Sequence, residues 1–258
     1  MKDVAIIILT VSAFLTGVRA ATAEKNAAVE LGMTQATFEQ GTLSINYCEK
    51  VVRHKEMAPM RIVLLWHGGS GKGDDNLKQL TTPSLRPLLS YLDAKRENAV
   101  VLVPQCPSSS QAWLSGGKRS PMQATRALVR AKASEYRVSS TNVFFAGISM
   151  GGTPAYTLMA QDVPNIFAKA IVCSGGGDTN VAASVTAEVR LFNGENDTIV
   201  DPAGARAMAE AINAAGGRAF FHLLPGHDHF TAADVAFSAA QWDWFLGSAW
   251  KGFVISIK

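Results

Sequence analysis

The chain has 258 residues, 48% hydrophobic and 17% charged, with a formal charge of +3. That size and balance suit one globular domain with a substantial core. The absence of a basic run interleaved with aromatics speaks against nucleic acid as a partner. Three cysteines, Cys48, Cys106 and Cys173, are too few for a disulfide scaffold.

Residues 1–23 stand apart. Lys2 precedes an apolar run from Val4 to Gly17, and Val18-Arg19-Ala20 and Ala21-Thr22-Ala23 both fit the small-x-small rule for signal cleavage. The run falls short of the roughly 20 apolar residues that a membrane span needs. The expectation is a secretory signal peptide over 1–23 and a single mature domain over 24–258. That domain would be secreted or periplasmic, with no stable membrane insertion.

Residues 24–40 show no strong period and are expected to wrap the surface. Leu43 to Tyr47 alternates apolar and polar, as a half-buried strand does. Arg61 to Trp66 and Ala99 to Val103 are continuous apolar runs, which mark interior strands covered on both faces. Between them, Asp74 to Leu92 reads as a helix delayed or interrupted by Pro83 and Pro87. Ser120-Pro121 supplies an N-cap and a proline at the first helical position, opening a helix to about Tyr136.

Asn142 to Ile148 is the next strand, and a helix follows in which Pro154 is tolerable only within the first turn. Ile166 to Cys173, Val189 to Phe192 and Phe220 to Leu224 complete the strands. Asp201-Pro202 caps a helix to about Ala215, and Ala232 to Leu246 reads as one final amphipathic helix. Interior strands alternating with helices predict an α/β fold with a mostly parallel central sheet and helices on both faces. Only the short Gly-rich segment from Ser174 to Ala187 stands where a cap could be inserted, so no large cap domain and an open cleft are expected.

The chemistry concentrates at strand ends. Gly147-Ile148-Ser149-Met150-Gly151 joins a strand to a helix, the context in which a strained serine can act as a nucleophile. His67-Gly68-Gly69 directly follows an earlier strand, where a loop can offer backbone N–H groups to an oxyanion; Gly69, or alternatively Ser70, would act with Met150. A phosphate-loop reading of Gly69-Ser70-Gly71-Lys72-Gly73 fails, because Trp66 stands where glycine is required and Gly73 where Ser or Thr is required.

Among the carboxylates after Phe192, Asp197 sits in the strand-end turn, Asp201 is explained as a helix cap, and Glu195 lies closer to the strand. Pro225-Gly226-His227-Asp228-His229 offers two bases; His229 is preferred, with His227 the alternative. A His-x-His metal site would need His222 or Asp228 as well, and no metal is expected. Trp113, in the loop 107–119, is a candidate wall of the substrate pocket.

The order Ser149, Asp197, His229 is similar to that of α/β-hydrolases. Trp66-His67-Gly68-Gly69 with Gly73-Asp74-Asp75-Asn76, Val103-Pro104-Gln105-Cys106-Pro107 with Trp113, Gly147 to Gly152, Gly194-Glu195-Asn196-Asp197 and Pro225-Gly226 with His229 narrow the likeness. Over about residues 43–246 the chain resembles secreted esterases of the dienelactone-hydrolase and feruloyl-esterase type, near the group labelled predicted peptidases or phospholipase/carboxylesterases. An extra histidine at 227 departs from that pattern. The resemblance implies a secreted serine carboxylesterase acting through an acyl-enzyme, without cofactor, on a small-molecule or polymer-linked ester. An acyltransferase or peptidase using the same residues, or a catalytically silent binding protein on this fold, are the alternatives.

Overall fold

A computed structural model describes residues 27–161 and 166–247 of the chain. The expected signal segment lies outside the described residues. Among the described residues eight strands form one sheet: β1 (Thr34–Gln40), β2 (Leu43–Val52), β3 (Arg61–Trp66), β4 (Ala99–Pro104), β5 (Val143–Ile148), β6 (Lys169–Cys173), β7 (Glu188–Gly194) and β8 (Arg218–Leu224). Their spatial order is β1-β2-β4-β3-β5-β6-β7-β8. β2 pairs antiparallel with β1 and β4, and the remaining neighbours are parallel.

Every residue of β3, β4 and β5 is buried, as expected of strands covered on both faces. Successive side chains point to opposite faces. Ile62, Leu64 and Trp66 therefore enter one core with Phe145, while Val63 and Leu65 enter the other with Phe144. Helices α2 (Pro121–Glu135), α3 (Ala155–Ala160) and α4 (Pro202–Ala214) cover the first face. Helices α1 (Leu85–Lys95), α5 (Ala232–Ala236) and α6 (Ala239–Gly247) cover the second.

The caps behave as read. Ser120 Oγ accepts the Gln123 amide and Asp201 Oδ1 accepts the Ala203 amide. Other boundaries differ. Residues 34–40, expected to be irregular, form β1, an edge strand that packs only Ala36 and Phe38 inward. The helix expected from Asp74 is a 3-10 turn (Lys78–Thr81) followed by α1, whose first turn accommodates Pro87 because an N–H there has no partner within the helix. The last helix is broken between α5 and α6, where Ser238 Oγ–H turns back to the Val235 carbonyl. Among the described residues no helix is long and apolar enough to cross a membrane.

From β3 the chain moves to β4 on one side, and from β5 it moves to β6 on the other. The carboxyl ends of β3 and β5 thus flank the point where the winding reverses, which is where a parallel sheet opens a crevice.

Candidate active site

Ser149 follows β5 with a φ of 54°, a left-handed conformation that costs an L-residue about 1–2 kcal/mol. Its two glycine neighbours permit the turn. A Cβ on Gly147 would stand 2.5 Å from the Gly151 carbonyl oxygen. One on Gly151 would stand 2.6 Å and 2.7 Å from the carbonyl oxygens of His67 and Trp66. The serine turn is therefore pressed directly onto the backbone leaving β3. Ser149 to Gly151 form a 3-10 turn, so the Met150 amide lies at its opening, where an N–H has no partner within the turn.

Asp197 and His229 arrive from the ends of β7 and β8. The Asp197 amide bonds the Gly194 carbonyl, and its Oδ1 accepts the amides of Ile199 and Val200, each at 2.9 Å. Both carboxylate oxygens face His229 Nδ1, at 3.0 and 2.9 Å, and His229 Nε2 lies 2.8 Å from Ser149 Oγ. With Nδ1–H given to the carboxylate, Nε2 is the lone-pair nitrogen and accepts the serine hydroxyl. Asp197 and His229 are buried, whereas Ser149 is half-exposed.

Of the two loop histidines, His229 reaches Ser149. His227 supports the loop through its backbone instead. Its carbonyl accepts the Asn196 amide, and Gly194 packs against it with no room for a Cβ. Its ring Nδ1 bonds the Pro225 carbonyl at 3.0 Å. Asp201 is occupied as the α4 cap. His222 stacks on Phe192, with centroids 4.6 Å apart, and no cluster of metal-ligating side chains occurs among the described residues.

Gly69 and Ser70 open a 3-10 turn after β3 and line the cleft, as does Ser149. Gly68 sits against Ser149, where an added Cβ would be 3.5 Å from the serine Cβ. The loop is set by His67, whose Nδ1–H is given to the Gly68 carbonyl at 2.6 Å while Nε2 accepts the Cys106 amide at 3.0 Å. Burial lowers the His67 pKa to about 4, opposed in part by the Gly68 carbonyl, so the ring is neutral at pH 7. In a trans peptide the N–H points opposite to the carbonyl. Turning Gly68 C=O toward His67 therefore sends the Gly69 N–H the other way.

Trp113 is not a pocket wall. It is fully buried, stacked on Trp66 with centroids 4.4 Å apart and tilted against His67, so it packs beneath the loop. The sequence reading also missed Ser174 at the end of β6. This residue is fully buried with a φ of 48°, and its Oγ–H is given to the His229 backbone carbonyl at 2.8 Å. Its signal is the same as that of Ser149, a serine between an interior strand and glycines. The three thiols are free and buried, and burial pushes Cys48 and Cys173 up to about 12 and Cys106 up to about 11.

The cleft over Ser149 has a volume of about 400 Å³. A hollow of about 440 Å³ at the opposite ends of the strands is lined by Lys55, Met57, Arg61 and Glu97 among others, with no serine, cysteine or histidine among the described residues that line it. Ser149, His67 and His229 line the former.

No protein-family profile matches the chain, and no curated protein does. Solved structures do. A thermostable esterase aligns with TM-score 0.70 and 22% identity, over 83% of this chain and 62% of that one. A puromycin hydrolase aligns at 0.64 and 13%, over 83% and 39%. The carboxylesterase Cest-2923 of Lactobacillus plantarum aligns at 0.59 and 16%, over 78% and 85%. The chain thus spans less than two thirds of the first two. With eight strands in this order among the described residues and a strained serine at the end of β5, the chain has the α/β-hydrolase fold.

Proposed function

We propose that the protein is a serine hydrolase that cleaves carboxylic esters through an acyl-enzyme. The observation that carries this reading is the unbroken row Ser149 Oγ, His229 Nε2 and Nδ1, Asp197 carboxylate. His229 Nε2 takes the hydroxyl proton as Oγ bonds to the ester carbon and the carbonyl electron pair moves onto oxygen. The amides of Met150 and Gly69, with Ser70 the alternative, hold that oxyanion; such donors are worth about 3 kcal/mol each. Collapse breaks the ester C–O bond, and His229 gives its proton to the departing alkoxide. Water then repeats the attack, its proton passing to His229; the acyl–Oγ bond breaks, the carboxylic acid departs and His229 returns that proton to Ser149 Oγ. Asp197 holds the imidazole in the required tautomer and stabilises its cation. No step calls for a metal or organic cofactor.

Mass spectrometry after brief mixing with p-nitrophenyl butanoate tests the reading. The Ser149 peptide should gain one butanoyl group, and Ser149→Ala should gain none. Turnover by that variant at the wild-type rate would remove the serine from the mechanism. Amide cleavage is the second reading, favoured by the likeness to a puromycin hydrolase, and matched ester and anilide substrates separate the two. Residues 1–23 are proposed to direct export. Recovery of an extracellular or periplasmic chain beginning at Ala21 or Glu24 would support that.

A further inference from the structure

We infer that the ester taken by this cleft is uncharged and lays an apolar alkyl or aryl group against Ile199 and Phe230, which set the substrate preference. This rests on the ester-hydrolase reading above and names its substrate class. The first ground is charge. Pro83, Ile148, Ile199 and Phe230 supply the apolar lining, and among the described residues no Lys, Arg, Asp or Glu lines the cleft. The His67 ring has both nitrogens engaged, and the Thr82 hydroxyl lies 3.3 Å from that of Ser84. A substrate carboxylate entering here would lose water and meet no cation, which is costly.

The second ground is the lip itself. Ile199 and Phe230 are 60% and 69% exposed, although they are large apolar side chains on one cleft. Exposed apolar side chains gathered at one opening mark a ligand groove, whereas scattered ones need no explanation. Both are held firmly. The Ile199 amide is bound by the same Asp197 oxygen that faces His229, and the Phe230 amide is bound by Asp228 Oδ1 at 3.0 Å. The Phe230 ring stands edge-on to the imidazole, with centroids 5.2 Å apart. A group covering these two residues therefore lies beside the reacting atoms. A volume of about 400 Å³ is toward the small end for ligand clefts, which fits one modest apolar group with the rest of the ester outside.

The experiment uses the mature chain and two matched pairs of esters. One pair, p-nitrophenyl pentanoate and the p-nitrophenyl hemi-ester of glutaric acid, differs by a carboxylate on the acyl side. The other, phenyl and 4-carboxyphenyl butanoate, differs by one on the alcohol side. At least one pair should favour the neutral ester by ~10-fold or more in kcat/KM, the scale of a pocket mismatch. Ile199→Lys and Phe230→Lys should narrow or invert that ratio. Because the ratio is taken on one sample, partial unfolding of a variant does not alter it. Equal rates within both pairs, or ratios untouched by both lysines, would overturn the inference. If that turnover still required Ser149, the hydrolase reading would stand without it. Absence of any Ser149-dependent turnover would overturn both.

Discussion

Ser149 and Ser174 occupy corresponding places on neighbouring parallel strands. They end β5 and β6, whose last residues Ile148 and Cys173 are in register, and both adopt left-handed backbone, with φ of 54° and 48°. Each leads into glycines, and each hydroxyl engages His229. They differ in which part of His229 they meet. Ser149 is half-exposed and meets the imidazole at 2.8 Å; Ser174 is fully buried and meets the main-chain carbonyl at 2.8 Å. Backbone strain at a strand end thus marks a place where the chain is forced to turn. Access to the cleft and the atom that receives the hydroxyl separate the serine proposed as nucleophile from a tether.

The sharpest way to break this pairing is to remove each hydroxyl. Ser149→Ala should lower kcat for a p-nitrophenyl ester by ~1,000-fold or more, read in steady-state assays at equal folded protein. The same loss in Ser174→Ala would abolish the distinction.

A second contrast concerns two histidines at the site, one bonded to Ser149 Oγ and one holding the loop after β3. His67 has a folded pKa of about 4 against an ordinary 6.5. Between those values an unfolded chain binds a proton that the folded chain refuses, so stability is lost as the pH falls from 6.5 toward 4. Above 6.5 this residue adds no pH dependence. The loss should approach about 3 kcal/mol, measured by urea unfolding at pH 7 and pH 4.5, and His67→Asn should flatten the slope.

Ser174→Ala leaves the buried His229 carbonyl without its side-chain donor, so unfolding free energy should drop by about 1–3 kcal/mol. If Ser174 also sets the height of the imidazole, kcat should fall by roughly 10-fold with KM unchanged. Loss of stability with full kcat would make it a fold residue alone. The smallest effect is expected for His227→Ala, within about threefold of wild-type turnover, since that residue serves its loop through main-chain atoms.

Much of this arrangement could be read from residue order. Continuous apolar runs identified β3, β4 and β5, because strands buried on both faces show no alternation, and Ser120 and Asp201 announced their helices. The row of Ser149, Asp197 and His229 was legible because each stands in a strand-end loop with a chemically suitable side chain. β1 was not, since an edge strand holding only Ala36 and Phe38 inward carries too little pattern. The break after Phe237 depends on a serine turning back on its own helix. Trp113 was misplaced because an indole suits a pocket wall or a buried stack equally well. Ser174 was missed because its partner is a carbonyl 55 residues away, a contact that no local spacing encodes.

The lip formed by Ile199 and Phe230 carries a consequence for how such a protein can diversify. Its side chains project outward from loops already secured by Asp197 and Asp228, so exchanging them removes little interior packing. Surface exchanges of that kind usually cost within ~0.5 kcal/mol. On the proposed ester-hydrolase reading, a lineage can therefore drift toward new esters through these two positions while Ser149, His229 and Asp197 stay where the strands put them.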